Sequence, residues 1–217
     1  MNLIVTDFDG TFYDKNYDKN IELIKKYNNI DFVIATGRNF TSLKKDLKIN
    51  CKYYICNDGG YILDENKNII YKNYFNQKSI KKIYKEVKNL NYNDYFFDYI
   101  DTFSNKLLHN VNKLSIKIRD NKAKNDMNYI LSNIKDAYGY LSENWINILP
   151  IFSTKEKAIN YILNNNCYDK IYVVGNECND YKMIKKYNGF LITNTPKNGY
   201  NCVNNFLEVI NKLKKEK

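Results

Sequence analysis

Apolar positions along the chain form short runs typical of buried strands, separated by wider spacings typical of helices. The first run covers residues 3–8, and a helical spacing starts at Asp18, with Ile21, Ile24 and Tyr27 on one face. Further strands are predicted at 31–35, 53–56, 170–174 and 190–193, and further helices at 41–47, 155–163 and along Phe206, Ile210 and Leu213. Strands that alternate with helices in this way predict an α/β fold with a doubly wound parallel sheet.

The middle of the chain follows a different pattern, in which helical and β-prone segments are mixed. The helices are marked by Ile80, Ile83, Val87 and Leu90 and by Met127, Ile130, Leu131 and Ile134, the β-prone segments lie at 95–100 and 113–118, and a possible hairpin lies at 138–149. This mixture predicts an α+β domain over residues 75–150, inserted into a core made of residues 1–74 and 151–217.

The composition is that of a folded globular protein, because 44% of the 217 residues are hydrophobic and 27% are charged. The formal net charge of +10 comes from lysines spread along the whole chain, with no dense basic block. A lysine-rich surface explains such a charge, so we do not expect nucleic acid as a partner. The pattern carries no information on oligomeric state.

Cysteine usage and hydropathy bear on the cell compartment. The five cysteines form no C-x-x-C pair, which favours reduced thiols over a zinc site or a disulfide framework. No apolar run approaches the roughly 20 residues needed to cross a membrane. We therefore expect a cytoplasmic protein with no membrane partner.

The segment Asp7-Phe8-Asp9-Gly10-Thr11 ends the first predicted strand with two carboxylates. Side chains at this end of a strand face the crevice where open α/β sheets bind ligands. Two close carboxylates repel each other when both are ionised, which favours a bound cation or a raised pKa on one of them. One of them can then act as a nucleophile while the other moves a proton. Gly10 permits a tight turn and close approach of the main chain to a ligand.

Two further segments supply groups suited to a phosphoryl ligand. Thr36 and Gly37 end the second predicted strand, where a hydroxyl and main-chain N–H groups can bind phosphoryl oxygens. Lys155 starts a predicted helix, with Ser153 and Glu156 at capping-box spacing. The helix dipole disfavours a lysine at this location, which fits a bound anion. An ordinary surface lysine is the other interpretation in so lysine-rich a chain.

A fourth segment follows the predicted strand at 170–174. It carries oxygen-bearing side chains at Asn176, Asn179 and Asp180. Such hard oxygen ligands suit Mg²⁺, which keeps several waters and takes one or two carboxylates.

In their order and spacing the four segments resemble the haloacid dehalogenase (HAD) superfamily of phosphatases. More narrowly, the chain is similar to the Cof-type branch of sugar-phosphate phosphatases, in which a C2-type cap lies between the second and third motifs. The gap from Thr36 to Lys155 accommodates such a cap, whereas the gap from Thr11 to Thr36 is too short for one. The resemblance implies a Rossmann-like core with an inserted α+β cap.

The resemblance also implies roles for the first three motifs. Asp7 would be the nucleophile that forms an aspartyl-phosphate, and Asp9 would protonate the leaving oxygen and then activate water. Thr36, Gly37 and Lys155 would bind the phosphoryl group. Lys157 is a weaker candidate than Lys155, because the family spacing Lys-x-x-Ala fits Lys155.

For the fourth motif the resemblance implies a metal site. Mg²⁺ would be bound by Asp7, Asp9 through its main-chain carbonyl, Asn176 and Asp180. Asn179 would orient this motif and is grouped with the phosphate-binding residues. The bound Mg²⁺ would shield the nucleophile from the anionic substrate.

Two positions depart from the family pattern. Asn176 stands where the first Asp of Gly-Asp-x-x-Asn-Asp is expected, so we expect weaker Mg²⁺ binding unless Asp180 compensates. Residues 57–60 read Asn-Asp-Gly-Gly, where relatives often have Asn-Gly-Ala.

The resemblance implies a Mg²⁺-dependent phosphatase that acts on a small phosphorylated metabolite, with a sugar phosphate favoured. Two alternatives stay open. One is a phosphomutase-like phosphotransferase, which would pass the phosphoryl group to a sugar hydroxyl. The other is a catalytically weakened binding protein with the HAD fold, motivated by Asn176.

Overall fold

The computed structural model describes residues 1–27 and 29–215, which fold around two β-sheets. In chain order the strands are β1 (Asn2–Thr6), β2 (Ile30–Ala35), β3 (Tyr53–Cys56), β4 (Tyr61–Asp64), β5 (Ile69–Lys72), β6 (Tyr95–Asp98), β7 (Phe103–Ser104), β8 (Lys113–Lys117), β9 (Ala137–Leu141), β10 (Trp145–Pro150), β11 (Ile171–Gly175), β12 (Phe190–Ile192) and β13 (Asn201–Val203). The helices are α1 (Tyr17–Lys25), α2 (Phe40–Asp46), α3 (Gln77–Asn89), α4 (Ala123–Leu131), α5 (Lys155–Asn164), α6 (Tyr181–Lys186) and α7 (Phe206–Lys215). Within these ranges, no helix has the length and apolar character needed to cross a membrane.

The larger sheet has eight strands in the order β13-β12-β11-β1-β2-β3-β4-β5. The strands from β13 to β3 are parallel, and β4 and β5 extend one edge in antiparallel pairing. Leu3, Ile4 and Val5 in the central strand β1 are fully buried, because helices cover both faces of the sheet. Helices α1, α2 and α7 pack on one face, and α5 and α6 pack on the other. The predicted doubly wound α/β fold is therefore confirmed.

The smaller sheet has five antiparallel strands in the order β7-β6-β8-β10-β9. Helices α3 and α4 pack on one face of it, where Ile83 and Ile130 join Leu114 and Ile116 of β8 in one apolar cluster. We call the layers around the larger sheet the core and the layers around the smaller sheet the cap. The domain boundaries at residues 75 and 150 stay a prediction.

Some elements differ from the sequence-based expectations. Helix α1 ends at Lys25, so Tyr27 lies beyond it, although its side chain still packs against the core. Helix α4 ends at Leu131, which leaves Ile134 outside. Strands β4 and β5 were not predicted; each has only four residues, and a polar turn separates them.

The chain crosses between core and cap at two neighbouring points. Asn73, which precedes α3, donates from Nδ2 to Ser153 Oγ at 2.9 Å. Asn112 of the cap donates from Nδ2 to the carbonyl oxygens of Asn73 at 2.6 Å and Gly60 at 3.2 Å. The bond from Asn73 to Ser153 holds the two crossings side by side, and Asn112 ties the first crossing to the core.

Candidate active site

The site lies where the carboxyl ends of β1, β2 and β11 meet beneath the cap. Strand β1 ends at Thr6, so Asp7 opens the loop that follows. A cavity of about 530 Å³ separates this edge of the core from the cap. The core lines it with Asp7, Asp9, Gly37, Arg38, Asn39, Ser42, Glu177 and Asn179, and the cap lines it with Phe96, Asp98, Phe103, Lys113, Ser115, Tyr140, Ser142, Glu143, Asn144, Trp145 and Asn147.

Lys155 joins two carboxylates at the base of the site. Its side chain is buried, and its ammonium nitrogen lies 2.5 Å from Asp7 Oδ1 and 2.8 Å from Asp180 Oδ1. Lys157 is exposed on the same helix. The structure therefore brings Lys155, and not Lys157, to the predicted nucleophile.

The predicted capping box of Ser153 and Glu156 is wrong. Helix α5 is capped by Thr154, whose Oγ1 accepts a hydrogen bond at 3.1 Å from the main-chain N–H three residues later. The Ser153 hydroxyl is instead engaged with Asn73 at the crossing between core and cap. The helix consequently begins one residue later than the capping box requires, with Lys155 at its first position.

The buried charges at the base of the site do not balance. Burial raises the pKa of Asp7 to about 8, with Lys155 opposing this shift and Asp180 and Asp9 adding to it. Burial disfavours the charged form of Lys155, but Asp180, Asp7 and Asp58 outweigh this effect and hold its pKa above the usual range. One ammonium between the carboxylates of Asp7 and Asp180 leaves an excess negative charge. A cation bound nearby, or a proton on Asp7, would offset it.

Asp180 anchors the loop that follows β11. Its Oδ2 accepts hydrogen bonds from the main-chain N–H groups of Asn176 at 2.9 Å and Glu177 at 3.0 Å, while its Oδ1 accepts from Lys155. A Cβ atom at Gly175 would lie 2.4 Å from the Asp180 carboxyl carbon, so only glycine fits there. Both Asp180 oxygens are thus already bonded within the protein.

Asn176 links the loops that follow β1 and β11. Its Oδ1 accepts a hydrogen bond from Thr11 Oγ1 at 3.1 Å. Gly10, at φ +70°, passes so close that an added Cβ atom would lie 2.6 Å from Asn176 Nδ2. The amide oxygen of Asn176 is therefore held beside the Asp7 loop.

The donor set around Asp7 fits Mg²⁺ through oxygen atoms of mixed type. In the ranges that the structure describes, no three His, Cys, Asp or Glu side chains cluster as metal ligands. The Asp7 carboxylate and Asn176 Oδ1 are hard oxygens, and the buried Asn179 Oδ1 has no hydrogen-bond partner among the described residues. Mg²⁺ needs only one or two carboxylates besides waters.

Asp9 is held by Arg38 at the rim of the cavity. Arg38 donates from Nε to Asp9 Oδ2 at 2.8 Å and from Nη2 to Asp9 Oδ1, and from Nη1 to Asp46 Oδ2 at 2.6 Å. The guanidinium also lies over the Phe8 ring, 5.3 Å from its centroid. The side chain of Asp9 is about half exposed, so it can change partners more easily than Asp7.

Asp58 connects the core to the cap. Its Oδ2 accepts hydrogen bonds from Lys113 Nζ and Tyr140 Oη, both at 2.8 Å, and its Oδ1 accepts from Asn179 Nδ2 at 2.8 Å. Burial alone would raise the pKa of Asp58, but Lys113, Lys155 and these hydrogen bonds lower it to about 2. Asp58 is therefore a buried carboxylate with charged and polar partners.

The family model of haloacid dehalogenase-like hydrolases matches residues 4–99 and 84–208. The chain is a haloacid dehalogenase-like hydrolase. The resemblance inferred from the four sequence motifs is thereby confirmed. No curated protein sequence matches this hydrolase.

Solved structures with the same fold cover nearly the whole hydrolase. A haloacid dehalogenase-like hydrolase from Bacteroides thetaiotaomicron has a TM-score of 0.81 at 17% identity, covering 98% of this chain and 99% of that one. A haloacid dehalogenase-like hydrolase from B. subtilis has a TM-score of 0.80 at 16% identity, covering 99% of both chains. A sugar phosphatase of HAD subclass IIB has a TM-score of 0.81 at 16% identity, covering 100% of this chain and 99% of that one. At these identities the likeness establishes the fold.

The cap side of the hydrolase's cavity carries a row of polar groups. Asp98 accepts hydrogen bonds from Asn39 Nδ2 at 3.2 Å and from Ser115 Oγ at 3.5 Å, and Ser115 Oγ lies 3.5 Å from Asn147 Oδ1. Burial raises the pKa of Asp98 to about 6, although Lys113 and Asn39 oppose the shift. These long contacts leave the oxygens free to accept shorter hydrogen bonds from a ligand.

The structure places the predicted site residues in two groups. Asp7, Lys155 and Asp180 touch directly, and Asn176 lies beside them, tied to the Asp7 loop. Asp9, Gly37 and Asn179 line the cavity with Asp7, but Asp9 and Asn179 bond to other side chains. Thr36 is buried at the end of β2 and does not line the cavity. The catalytic, phosphate-binding and metal-binding roles of all eight residues stay a prediction.

Four residues with bonds at the site were not singled out as site residues by the sequence pattern. Arg38 directly follows Thr36-Gly37, and a charged residue at that location is a usable signal. Asp58 lies in the second segment that departs from the family pattern. Lys113 and Tyr140 come from cap strands and have no local signal, because only the packing of cap on core brings them to the site.

Proposed function

We propose that this hydrolase is a Mg²⁺-dependent phosphatase of a small phosphorylated metabolite, with a sugar phosphate as the expected substrate. The observation that carries the proposal is the buried Lys155, whose ammonium contacts both Asp7 and Asp180. This arrangement supports the proposal because it puts a cation beside the carboxylate that we propose as nucleophile, at the carboxyl edge of the sheet, where an anionic substrate can be stabilised. Membership of the hydrolase family supports the same conclusion.

The reaction would take place in two steps. In the first, an Asp7 oxygen attacks phosphorus, the bond from phosphorus to the leaving oxygen breaks, and Asp9 donates a proton to that oxygen. In the second, water attacks phosphorus in the aspartyl-phosphate and gives a proton to Asp9, and inorganic phosphate leaves with Asp7 restored. Asp9 would have to release Arg38 to reach the reacting oxygens, since the two side chains are paired in the structure.

The phosphoryl group would be bound by the ends of β2 and α5. Thr36 is buried at the end of β2, and its hydroxyl accepts a hydrogen bond from the main-chain N–H of Arg38 at 3.1 Å. Gly37 lines the cavity, where its main chain can approach an anion closely. Lys155 would neutralise charge on the transferring group, as the sequence predicts.

Mg²⁺ would be held by the Asp7 carboxylate, the main-chain carbonyl of Asp9 and the amide oxygen of Asn176. When bound, it would supply positive charge that stabilises the phosphoryl oxygens and reduces repulsion between Asp7 and the substrate. Asp180 has both oxygens bonded to Lys155 and to main-chain N–H groups. We therefore propose that Asp180 supports the metal site by fixing the loop of Asn176.

The cap side of the cavity supports a sugar as the leaving group. Asp98, Ser115 and Asn147 offer hydrogen-bond acceptors to several hydroxyl groups. Phe96 and Trp145 pack edge to face at 5.2 Å beside this row and offer an apolar surface to the C–H groups of a ring. The sugar phosphatase with the same fold is consistent with this substrate class.

The proposal is tested by phosphate release from sugar phosphates, nucleotides and an aryl phosphate, with and without Mg²⁺. Turnover that requires Mg²⁺ and is lost in Asp7→Asn supports a phosphatase, whereas Asp18→Asn, at an exposed position, should behave as wild type. Turnover that needs an added sugar acceptor would identify a phosphotransferase instead. Folded protein that hydrolyses nothing in a broad panel would favour the binding protein suggested by Asn176.

A further inference from the structure

Lys113 extends from the cap to the phosphate-binding loop of the core. It lies on β8, and its buried ammonium nitrogen is 2.8 Å from Asp58 Oδ2 and 3.1 Å from the carbonyl oxygen of Gly37. It also lines the cavity that Asp7 faces. A cationic group of the cap is thus placed next to the site expected for the phosphoryl group.

The hydrogen-bond donors at the site differ in how many of their N–H groups already have acceptors. Lys155 already donates to two carboxylates, and Asn179 donates its amide N–H to Asp58. An ammonium has three N–H donors, and within residues 1–27 and 29–215 those of Lys113 have two acceptors. One donor of Lys113 is therefore available to a ligand in the cavity.

The charges point to the same residue. Within the described part of the chain, the carboxylates of Asp7, Asp58 and Asp180 form salt bridges with the ammonium groups of Lys113 and Lys155 and with no other cation. A phosphate monoester would add roughly two further negative charges. Without Lys113, the substrate would meet an unpaired Asp58 carboxylate beside its binding loop.

The position of Lys113 is fixed by the surroundings of Asp58. The main chain of Asp58 is in the left-handed region at φ +54°, which directs its carboxylate between core and cap. Tyr140 from β9 donates to the same carboxylate oxygen as Lys113, and Asn179 donates to the other. A Cβ atom at Gly37 would lie 3.3 Å from both Lys113 Nζ and the Asp58 carboxylate, so the loop packs closely on this pair.

We propose that Lys113 is a substrate-binding residue that the cap contributes to the phosphoryl site, held there by the carbonyl oxygen of Gly37 as well as by Asp58. The inference rests on the proposed function, because it assigns a further ligand to the same phosphoryl group. It means that the site gains this positive charge only when the cap is seated on the core. Substrate binding and cap closure are then favoured by the same contact.

The test compares variants in their binding of inorganic phosphate with Mg²⁺ present, by calorimetry, and in their kcat/KM. Lys113→Met alone leaves Asp58 buried without a cation, which endangers folding. The double variant Lys113→Met, Asp58→Asn removes both charges and should melt near wild type. We expect its phosphate affinity to fall at least about tenfold and its kcat/KM about a hundredfold, as for loss of a charged donor at a phosphoryl site.

Two single variants serve as controls. Asp58→Asn keeps Lys113 next to Gly37 and should lose no more than roughly threefold in phosphate affinity, the effect of one weakened hydrogen bond. Lys117→Met changes an exposed lysine on the same strand and should have no effect. The proposal is overturned if the double variant binds phosphate as wild type does, or if Asp58→Asn alone weakens binding as much as the double variant.

The outcome also separates this inference from the proposed function. A wild type that turns over substrate, with a double variant that is equally active, overturns the role of Lys113 alone. A wild type that neither hydrolyses a phosphate monoester nor binds inorganic phosphate overturns both.

Discussion

Asp9 accepts hydrogen bonds from Arg38 through both carboxylate oxygens at the rim of the cavity. Asp46 binds the same guanidinium from its other side, at 2.6 Å. Arg38 therefore gives Asp9 a defined resting position, in which both carboxylate oxygens are already engaged. Proton transfer by Asp9 would require an exchange of partners when the substrate enters.

Asp9→Asn should separate the two chemical steps. The variant cannot protonate a leaving oxygen, so turnover of a sugar phosphate should fall by about 10² to 10⁴. A nitrophenyl phosphate has an acidic leaving group that needs no proton, so it should still form the aspartyl-phosphate and give a burst of one nitrophenol per protein. Rapid-quench kinetics measures the burst. The control variant Asp46→Asn alters the other partner of Arg38 and should keep the steady-state turnover of wild type. If Asp9→Asn released the nitrophenol at the same rate in the first turnover and in the steady state, the role assigned to Asp9 would be excluded.

Lys155→Met should destabilise the protein as well as inactivate it. The change leaves Asp7 and Asp180 buried without their shared cation, and breaking such a pair costs about 3–5 kcal/mol. Urea denaturation measures this loss. Lys157→Met, on the exposed side of the same helix, should change the free energy of unfolding by less than about 0.5 kcal/mol. Similar losses in both variants would contradict the assignment of Lys155 to the site.

Asn176→Asp should tighten Mg²⁺ binding. The substitution keeps the shape and the oxygen that accepts from Thr11, and it adds a negative charge beside Asp7. A tenfold change in Kd corresponds to ~1.4 kcal/mol, and a charge pair near a protein surface contributes more than this. We therefore expect the Kd for Mg²⁺ to be at least about tenfold lower than in wild type. A Mg²⁺ titration by calorimetry measures it. Without Mg²⁺, the same variant should melt at a lower temperature than wild type, because its added charge then lies beside Asp7 uncompensated. An unchanged Kd for Mg²⁺ would argue against a metal contact at Asn176.

Asp98 should make stability depend on pH in an unusual direction. Burial raises its pKa to about 6 in the folded protein, so the folded state holds the proton more tightly than the unfolded state does. The stability from this proton is full below about pH 4 and is lost as pH rises through 6. Asp98→Asn should therefore exceed wild type in free energy of unfolding by up to about 3 kcal/mol at pH 7.5, and by little at pH 4. Urea denaturation of both proteins at pH 7.5 and at pH 4 measures this difference. If Asp98→Asn were more stable than wild type by the same amount at both pH values, Asp98 would not titrate in this range.

The core and its motifs were accessible from the sequence because they depend on local patterns. Buried strands covered on both faces read as continuous apolar runs, as in β1 and β2. Parallel strands then bring the residues that follow them to one edge, which is why Asp7, Gly37 and Asn176 could be grouped. Strand β5 was not accessible, because it is a short edge strand of mixed polarity with no clear period. Strand β4, which lies between β3 and β5, has only four residues.

The contacts that involve the cap were inaccessible for a different reason. Lys113 and Tyr140 reach Asp58 only through the way the smaller sheet rests on the core, and no local spacing encodes that arrangement. The pairing of Asp9 with Arg38 was missed because it joins the ends of two strands through side chains rather than along the chain. Thr154 replaced Ser153 as the helix cap because the Ser153 hydroxyl is bonded to Asn73.

The neighbouring chain crossings, where Asn73 contacts Ser153, bear on the order of folding. Leu3 of β1 pairs with Ile171 of β11, so the central strands of the core cannot join until the whole intervening chain has been brought back. The cap strands pair with near neighbours in sequence and can form first. A folded cap with adjacent ends shortens the loop that β1 and β11 must close, which lowers its entropic cost. Pulsed hydrogen exchange during refolding should therefore protect β8 and β10 before the amides of Leu3 and Asp7, which bond across to the β11 segment, so that the cap serves as a template for the joining of β1 and β11.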